Sequence, residues 1–254
     1  MLKNLIPVLL AALLLGACGP TVPTKLKAGR TTTDNAVTAN INLGVEYMRQ
    51  KEFEKALDKL ERARTLDPGY YETYGMLGIL YQRLGQNKLA EESFSKAIRL
   101  NATDAPTLNN YGQFLCDTGR YDEAMATFGR SAGNPLYESP EIPLTNAGLC
   151  AMRNKDEDKA EKYLRQALQR NPKFGQALLP MIQVSYDEGK YMSARGYMQR
   201  YLEVGQHTPR TLWLGIQIEK QLGDDNAVSS YALLLRNNFP DSRETELLNQ
   251  SGIR

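Results

Sequence analysis

Four glycines recur at nearly fixed intervals along this 254-residue chain: Gly44, Gly78, Gly112 and Gly148 lie 34, 34 and 36 residues apart. Each sits inside a similar run of residues with helical spacing of the apolar positions. A unit of this length is a single helical hairpin, which cannot bury its own apolar face and must stack on copies of itself. Stacking buries a continuous elongated core and leaves a long groove free. The period therefore predicts an all-α chain built for binding rather than for chemistry.

The residues around each glycine identify a tetratricopeptide pattern: a large residue, Leu-Gly and Tyr on the first helix, then small, aromatic and small residues on the second. The second repeat supplies Tyr74, Leu77-Gly78, Tyr81, Ala90, Phe94 and Ala97. The first has Leu43-Gly44, Tyr47, Ala56, Leu60, Ala63 and Pro68, and the third Leu108, Tyr111-Gly112, Leu115, Ala124 and Phe128. A turn-rich stretch from Gly133 to Pro140 then lengthens one junction. A fourth repeat carries Leu144, Ala147-Gly148, Ala160, Leu164, Ala167 and Pro172. A fifth has Ile182 in the glycine place, with Ala194, Met198 and Tyr201, and a sixth has Leu214-Gly215, Ala227, Tyr231, Leu234 and Pro240.

The expected fold is a right-handed superhelical solenoid of about six repeats over 37–242, divided at 37–70, 71–104, 105–140, 141–174, 175–207 and 208–242. Residues 243–254 are left as a tail or capping helix. Gly44 and Ala56 let the two helices of a hairpin approach closely, and Tyr47, Tyr81, Phe94 and Phe128 are expected in the core. Gly85, Gly119 and Gly189 are expected at the turns within hairpins.

The N-terminus bears on location. Lys3 precedes an apolar run from Leu5 to Leu15 that ends in Leu15-Gly16-Ala17-Cys18, the layout of a secretory signal segment over 1–17. The run is too short to span a bilayer. Leu-Gly-Ala-Cys resembles a bacterial lipobox, which implies cleavage before Cys18 and lipid attachment to it; a plain signal peptide cut elsewhere is the alternative. Gly19 is not the Asp that retains lipoproteins in the inner membrane, so the resemblance implies the outer membrane, periplasmic face. Residues 18–36, rich in Pro, Thr, Lys and Gly, are expected to be a flexible tether.

Charge argues against nucleic acid. The chain has 31 basic and 29 acidic side chains, a formal net charge of +2, and no block of one sign. Chemistry finds little support either. The single histidine, His207, is expected in a mobile loop before Pro209, too few ligands for a histidine-built metal site. No Gly-rich phosphate loop is present. The acids Asp122-Glu123, Asp156-Glu157-Asp158 and Asp224-Asp225 fall at the starts of second helices, where they favour the helix dipole. No cofactor and no small-molecule substrate are expected.

With Cys18 lipidated, Cys116 and Cys150 remain as a pair in an oxidising compartment. Counted from Ala105 and from Glu141, they occupy positions 12 and 10, near the ends of first helices in adjacent repeats. A disulfide across the lengthened junction is the expectation, and two buried thiols the alternative.

In repeats of this type, positions 2, 5, 9 and 12 or 13 of each first helix line the concave face. The first repeat offers Ile41, Val45, Met48 and Arg49 there, three of them apolar, which suggests an exposed hydrophobic face for a partner; the alternative is that the tether covers it. Along the groove follow Glu72, Ile79 and Gln82, then Asn109, Asn110 and Gln113, then Leu149 and Arg153, and last Leu179, Gln183 and Tyr186. The basic clamp for acidic chaperone tails is missing, since its places hold Ile41, Val45, Pro106 and Asn110. A partner with an apolar strand or helix fits better.

The lipobox ending at Cys18, six repeats with little else attached, the stretches Asn109–Cys116 and Asn146–Cys150 and the turn containing Pro172 together resemble the PilF/PilW type IV pilus biogenesis and stability lipoproteins of Gram-negative bacteria. That resemblance implies an outer-membrane pilotin, which helps the pilus secretin localise and assemble and so supports twitching motility. A general periplasmic scaffold for cell-envelope or cell-wall enzymes is the competing reading.

Overall fold

The computed structural model describes residues 32–253. Among these residues there are thirteen helices and no strands. Twelve form hairpins in chain order: α1 (Thr32–Arg49) with α2 (Phe53–Leu66), α3 (Tyr71–Arg83) with α4 (Asn87–Leu100), and α5 (Ala105–Asp117) with α6 (Tyr121–Ala132). Then come α7 (Glu141–Arg153) with α8 (Glu157–Arg170), α9 (Gly175–Asp187) with α10 (Tyr191–Leu202), and α11 (Pro209–Leu222) with α12 (Asp225–Asn238). The short α13 (Arg243–Gln250) packs on α11 and α12. Cys18 and residues 1–17 lie outside the described residues, as does most of the stretch read as a tether. Its last five residues are helical, because α1 begins at Thr32. Their polar sequence hid this: they form the exposed first turns of α1, ahead of the buried Val37.

Each hairpin is closed by the same local chemistry. The N–H just beyond the turn donates to a carbonyl five residues back, as from Gln86 to Tyr81 at 2.9 Å and from Arg120 to Leu115 at 2.9 Å. This closure requires one residue in the left-handed region. Gly85, Gly119, Gly189 and Gly223 supply it, at φ of 70° to 80°. In the first and fourth hairpins Lys51 (φ 61°) and Lys155 (φ 58°) take that conformation instead.

Within a hairpin, the glycine of the first helix faces a large side chain sixteen residues later. A Cβ on Gly78 would lie 2.8 Å from Phe94, on Gly112 2.7 Å from Phe128, and on Gly148 2.6 Å from Leu164. The absence of a side chain is thus what allows the helices their separation. In the fifth hairpin Ile182 stands in that place, and the unbranched Met198, also sixteen residues on, adapts to it in the same core.

The core runs along the array as linked clusters. Half-buried Ile79 and Tyr81 touch the clusters of repeats one to two and two to four, and Met125 and Tyr163 touch the next pair. Phe94 and Phe128 are buried, but Tyr47 and Tyr81 are only half-buried, because each phenol keeps its hydroxyl end toward the rim. Leu43 is 47% exposed, since among the described residues no earlier hairpin packs on it. In α12 the buried stripe is Val228, Ala232 and Leu235, so Leu234 is not a core position; the stripe has shifted by one residue to meet α11 and α13.

Three junctions between the first five hairpins take four residues each, whereas Gly133–Pro140 takes eight. That longer loop is pinned rather than loose. Asn134 Nδ2 donates to the Thr103 carbonyl at 2.7 Å, and its Oδ1 accepts from the Leu136 amide at 2.9 Å.

Candidate partner-binding groove

The first helices of successive hairpins lie side by side, and three depressions run across α3, α5, α7, α9 and α11. The first, of about 490 Å³, lies between α3 and α5 and includes Ile79, Gln82, Asn110, Gln113 and Asp117. The second, about 260 Å³ between α5 and α7, shares Gln113 and Asp117 and adds Asn146, Leu149 and Arg153. A third, about 220 Å³, shares Leu149 and reaches Leu179, Gln183, Arg210 and Leu214 on α9 and α11. Shared walls make these one groove.

Its middle is organised by a carboxylate. Asp117 Oδ2 accepts from Gln82 Nε2 of α3 at 2.8 Å, and its Oδ1 accepts from Arg153 Nη1 of α7. One side chain thereby ties three consecutive repeats together on the open face. Asp117 and Arg153 are each about half exposed, so the ion pair contributes little to stability and mainly sets the shape and charge of the groove floor. Beneath it, Asn146 Nδ2 donates to Asn109 Oδ1 at 2.8 Å. Cys116 and Cys150 are bonded Sγ to Sγ with their Cα atoms 5.9 Å apart, so a covalent link joins α5 to α7 under the groove.

Of the residues nominated from sequence, Ile79, Gln82, Gln113, Leu149 and Arg153 line the groove, and they come together. The first-repeat face does not form. Ile41 and Met48 are buried, 6% and 4% exposed, and half-buried Val45 packs against the same cluster, which includes Leu77 and Leu80 of α3. Positions 5 and 12 point at the neighbouring first helix, so α3, not a partner, covers them. Arg49 is exposed and pairs with Glu46 at 3.6 Å. Asn109 is likewise an inter-repeat contact, 7% exposed and bonded to Asn146. Tyr186 packs half-buried on the core with its ring 5.6 Å from that of Tyr191.

Sequence reasoning missed Asp117, although it occupies position 13 of its helix, the place that nominated Arg153. It also missed Met152 of the fourth repeat, beside the nominated Arg153, and Arg210 of the sixth, which was read only for packing residues such as Leu214. The side of the array away from the groove is tied by charge. Tyr111 Oη donates to Glu91 at 2.5 Å, and Arg120 Nη1 reaches the same carboxylate at 2.7 Å. Burial first, and then the Glu91 bond, push the Tyr111 phenol up to about 12. His207 lies in the expected loop before Pro209, half-buried edge-on to Tyr231 at 5.5 Å, and burial lowers its pKa.

The tetratricopeptide repeat family profile matches residues 37–70, 71–104, 93–126 and 143–174. The type IV pilus assembly protein PilF of Pseudomonas aeruginosa is 32% identical over 222 residues, 87% of each chain. The chain belongs to the PilF family. The solved structure of Pseudomonas aeruginosa PilF superposes with a TM-score of 0.75 at 30% identity, over 87% of this chain and all of that one. PilW, a widely conserved type IV pilus biogenesis factor, matches at TM-score 0.73 and 31% identity, over 84% of this chain and 97% of its own. This member is accordingly a tetratricopeptide protein of type IV pilus biogenesis, with a fold for protein interaction. Among the described residues no helix is long and apolar enough to cross a membrane.

Proposed function

We propose that the protein is a lipid-anchored pilotin, held through Cys18 at the periplasmic face of the outer membrane, which promotes localisation and multimer assembly of the type IV pilus secretin. Family membership across nearly the whole array supports this reading. The lipobox sequence Leu15-Gly16-Ala17-Cys18 supports the anchor. The observation that carries the binding role is the groove over α3 to α11, an open face that keeps Gln113, Asp117, Leu149, Arg153, Leu179 and Arg210 exposed above core residues such as Phe114 and Leu214. The partner docks there, and not on the buried Ile41 side of the first repeat.

A deletion strain tests this. Secretin is expected to remain monomeric and twitching to be lost; normal multimers in the deletion strain overturn the pilotin role. Cys18→Ala is expected to leave a folded chain that fractionates away from the outer membrane, and unchanged fractionation overturns the anchor.

A further inference from the structure

The third depression differs in chemistry from the rest of the groove. Leu149, Met152, Leu179 and Leu214 make its walls apolar, and Leu149 and Leu179 remain 41% and 37% exposed. At about 220 Å³ it is below the size of a typical small-molecule pocket and suited to one inserted side chain. Its lining contains a single charge, Arg210. That guanidinium has no ion pair or hydrogen bond among the described residues, unlike Arg153, which Asp117 neutralises. Arg210 sits in the first turn of α11, where the helix dipole adds positive potential. Toward α5 the groove continues through Gln113 and Asn110, exposed and half-exposed amides with no hydrogen-bond partner among the described residues. Such amides donate and accept, and so can pair with the main chain of an extended peptide.

We propose that repeats four to six form the anchor subsite of the groove, taking an extended acidic-apolar peptide whose apolar side chain fills the Leu149–Leu179–Leu214 depression while an adjacent carboxylate pairs with Arg210. The peptide main chain runs on toward Gln113 and Asn110. This rests on the reading that the groove holds a partner segment, and it specifies the chemistry of that segment. An apolar group alone would leave Arg210 unused, and a basic peptide would meet it with repulsion.

The test uses the mature chain and two fluorescein-labelled octapeptide pools, one with a fixed Leu-Glu pair and one with Leu-Lys, the remaining positions randomised. Fluorescence polarisation is expected to show the Leu-Glu pool binding at least tenfold tighter. Arg210→Glu should invert that preference, and Leu179→Glu should weaken both pools tenfold or more. Both side chains are on the surface, and circular dichroism checks that the variants stay helical. Leu43→Glu, on an exposed site away from the groove, should change nothing. Pools that bind alike, that fail to bind, or whose order survives Arg210→Glu overturn the subsite. A dimer in sedimentation that Leu179→Glu dissolves would make a second copy the occupant and also overturn it. If the peptide preference holds while secretin assembles normally in a Leu179→Glu strain, the subsite stands and the secretin reading falls.

Discussion

Cys116 of α5 and Cys150 of α7 are joined across the boundary between the third and fourth repeats, directly under the side chains of Asp117 and Arg153. Each sulfur is buried, and the bond closes a separation of 34 residues at the place where the inter-repeat loop doubles in length. Protein isolated from its native host and denatured without reductant is expected to show no reactive thiol from this pair in a free-thiol assay. Replacing both by Ala should lower stability by about 4 kcal/mol from loop-closure entropy alone. Urea unfolding with and without reductant measures this.

Gly112 and Gly129 lie on adjacent helices and should respond oppositely to alanine. At Gly112 the new Cβ would meet Phe128 at 2.7 Å in a filled core, so Gly112→Ala should cost about 1–3 kcal/mol by overpacking. At Gly129, exposed within α6, nothing lies within 4 Å, and Gly129→Ala should gain about 0.5–1 kcal/mol through helix propensity. Paired thermal melts of the two variants test the contrast.

Arg195 of α10 grips Glu219 of α11, with Nε donating to Oε1 at 3.0 Å and a second nitrogen meeting Oε2. Glu219 is only 5% exposed, so removing its partner strands a buried carboxylate. Arg195→Met should therefore destabilise the last repeats by about 3 kcal/mol, whereas Arg195→Met with Glu219→Leu should be close to neutral. Hydrogen exchange resolved to α11 and α12 distinguishes local loosening from global unfolding.

Glu161 joins the fourth repeat to the fifth, accepting from Lys190 Nζ at 3.0 Å and from Arg165 within its own helix. The Lys190 bond, opposed by partial burial and assisted by Arg165, holds its carboxyl below the ordinary 4.5. A lowered folded value contributes stability that is present above 4.5 and is lost as pH falls through the folded value. Wild-type stability should thus fall more steeply than that of Glu161→Gln between pH 5 and about pH 3. Urea midpoints across that range check the sign.

Much of this was legible in the chain because repeats make local pattern and global fold agree. The spacing of sixteen from glycine to a large leucine or aromatic side chain reappears as helix contact in the hairpins of Gly44, Gly78, Gly112, Gly148 and Gly215. The first-repeat face misled for a physical reason: Ile41 and Met48 have the spacing of an amphipathic stripe, and spacing does not say which neighbour takes the stripe. Lys51 and Lys155 stayed hidden because hairpin closure can impose a left-handed residue that composition does not announce.

By itself, then, the sequence determined the helical repeat, the near-regular ruler of the array, the cysteine pair and the family resemblance, since each is written in residue type and interval. The tertiary structure decided which face of each first helix is covered. Coverage depends on the next hairpin, not on the helix itself: α3 closes over Ile41, whereas among the described residues nothing closes over Leu149, Leu179 and Arg210. It also brought Gln82, Asp117 and Arg153, which lie 35 and 36 residues apart, into one hydrogen-bonded row.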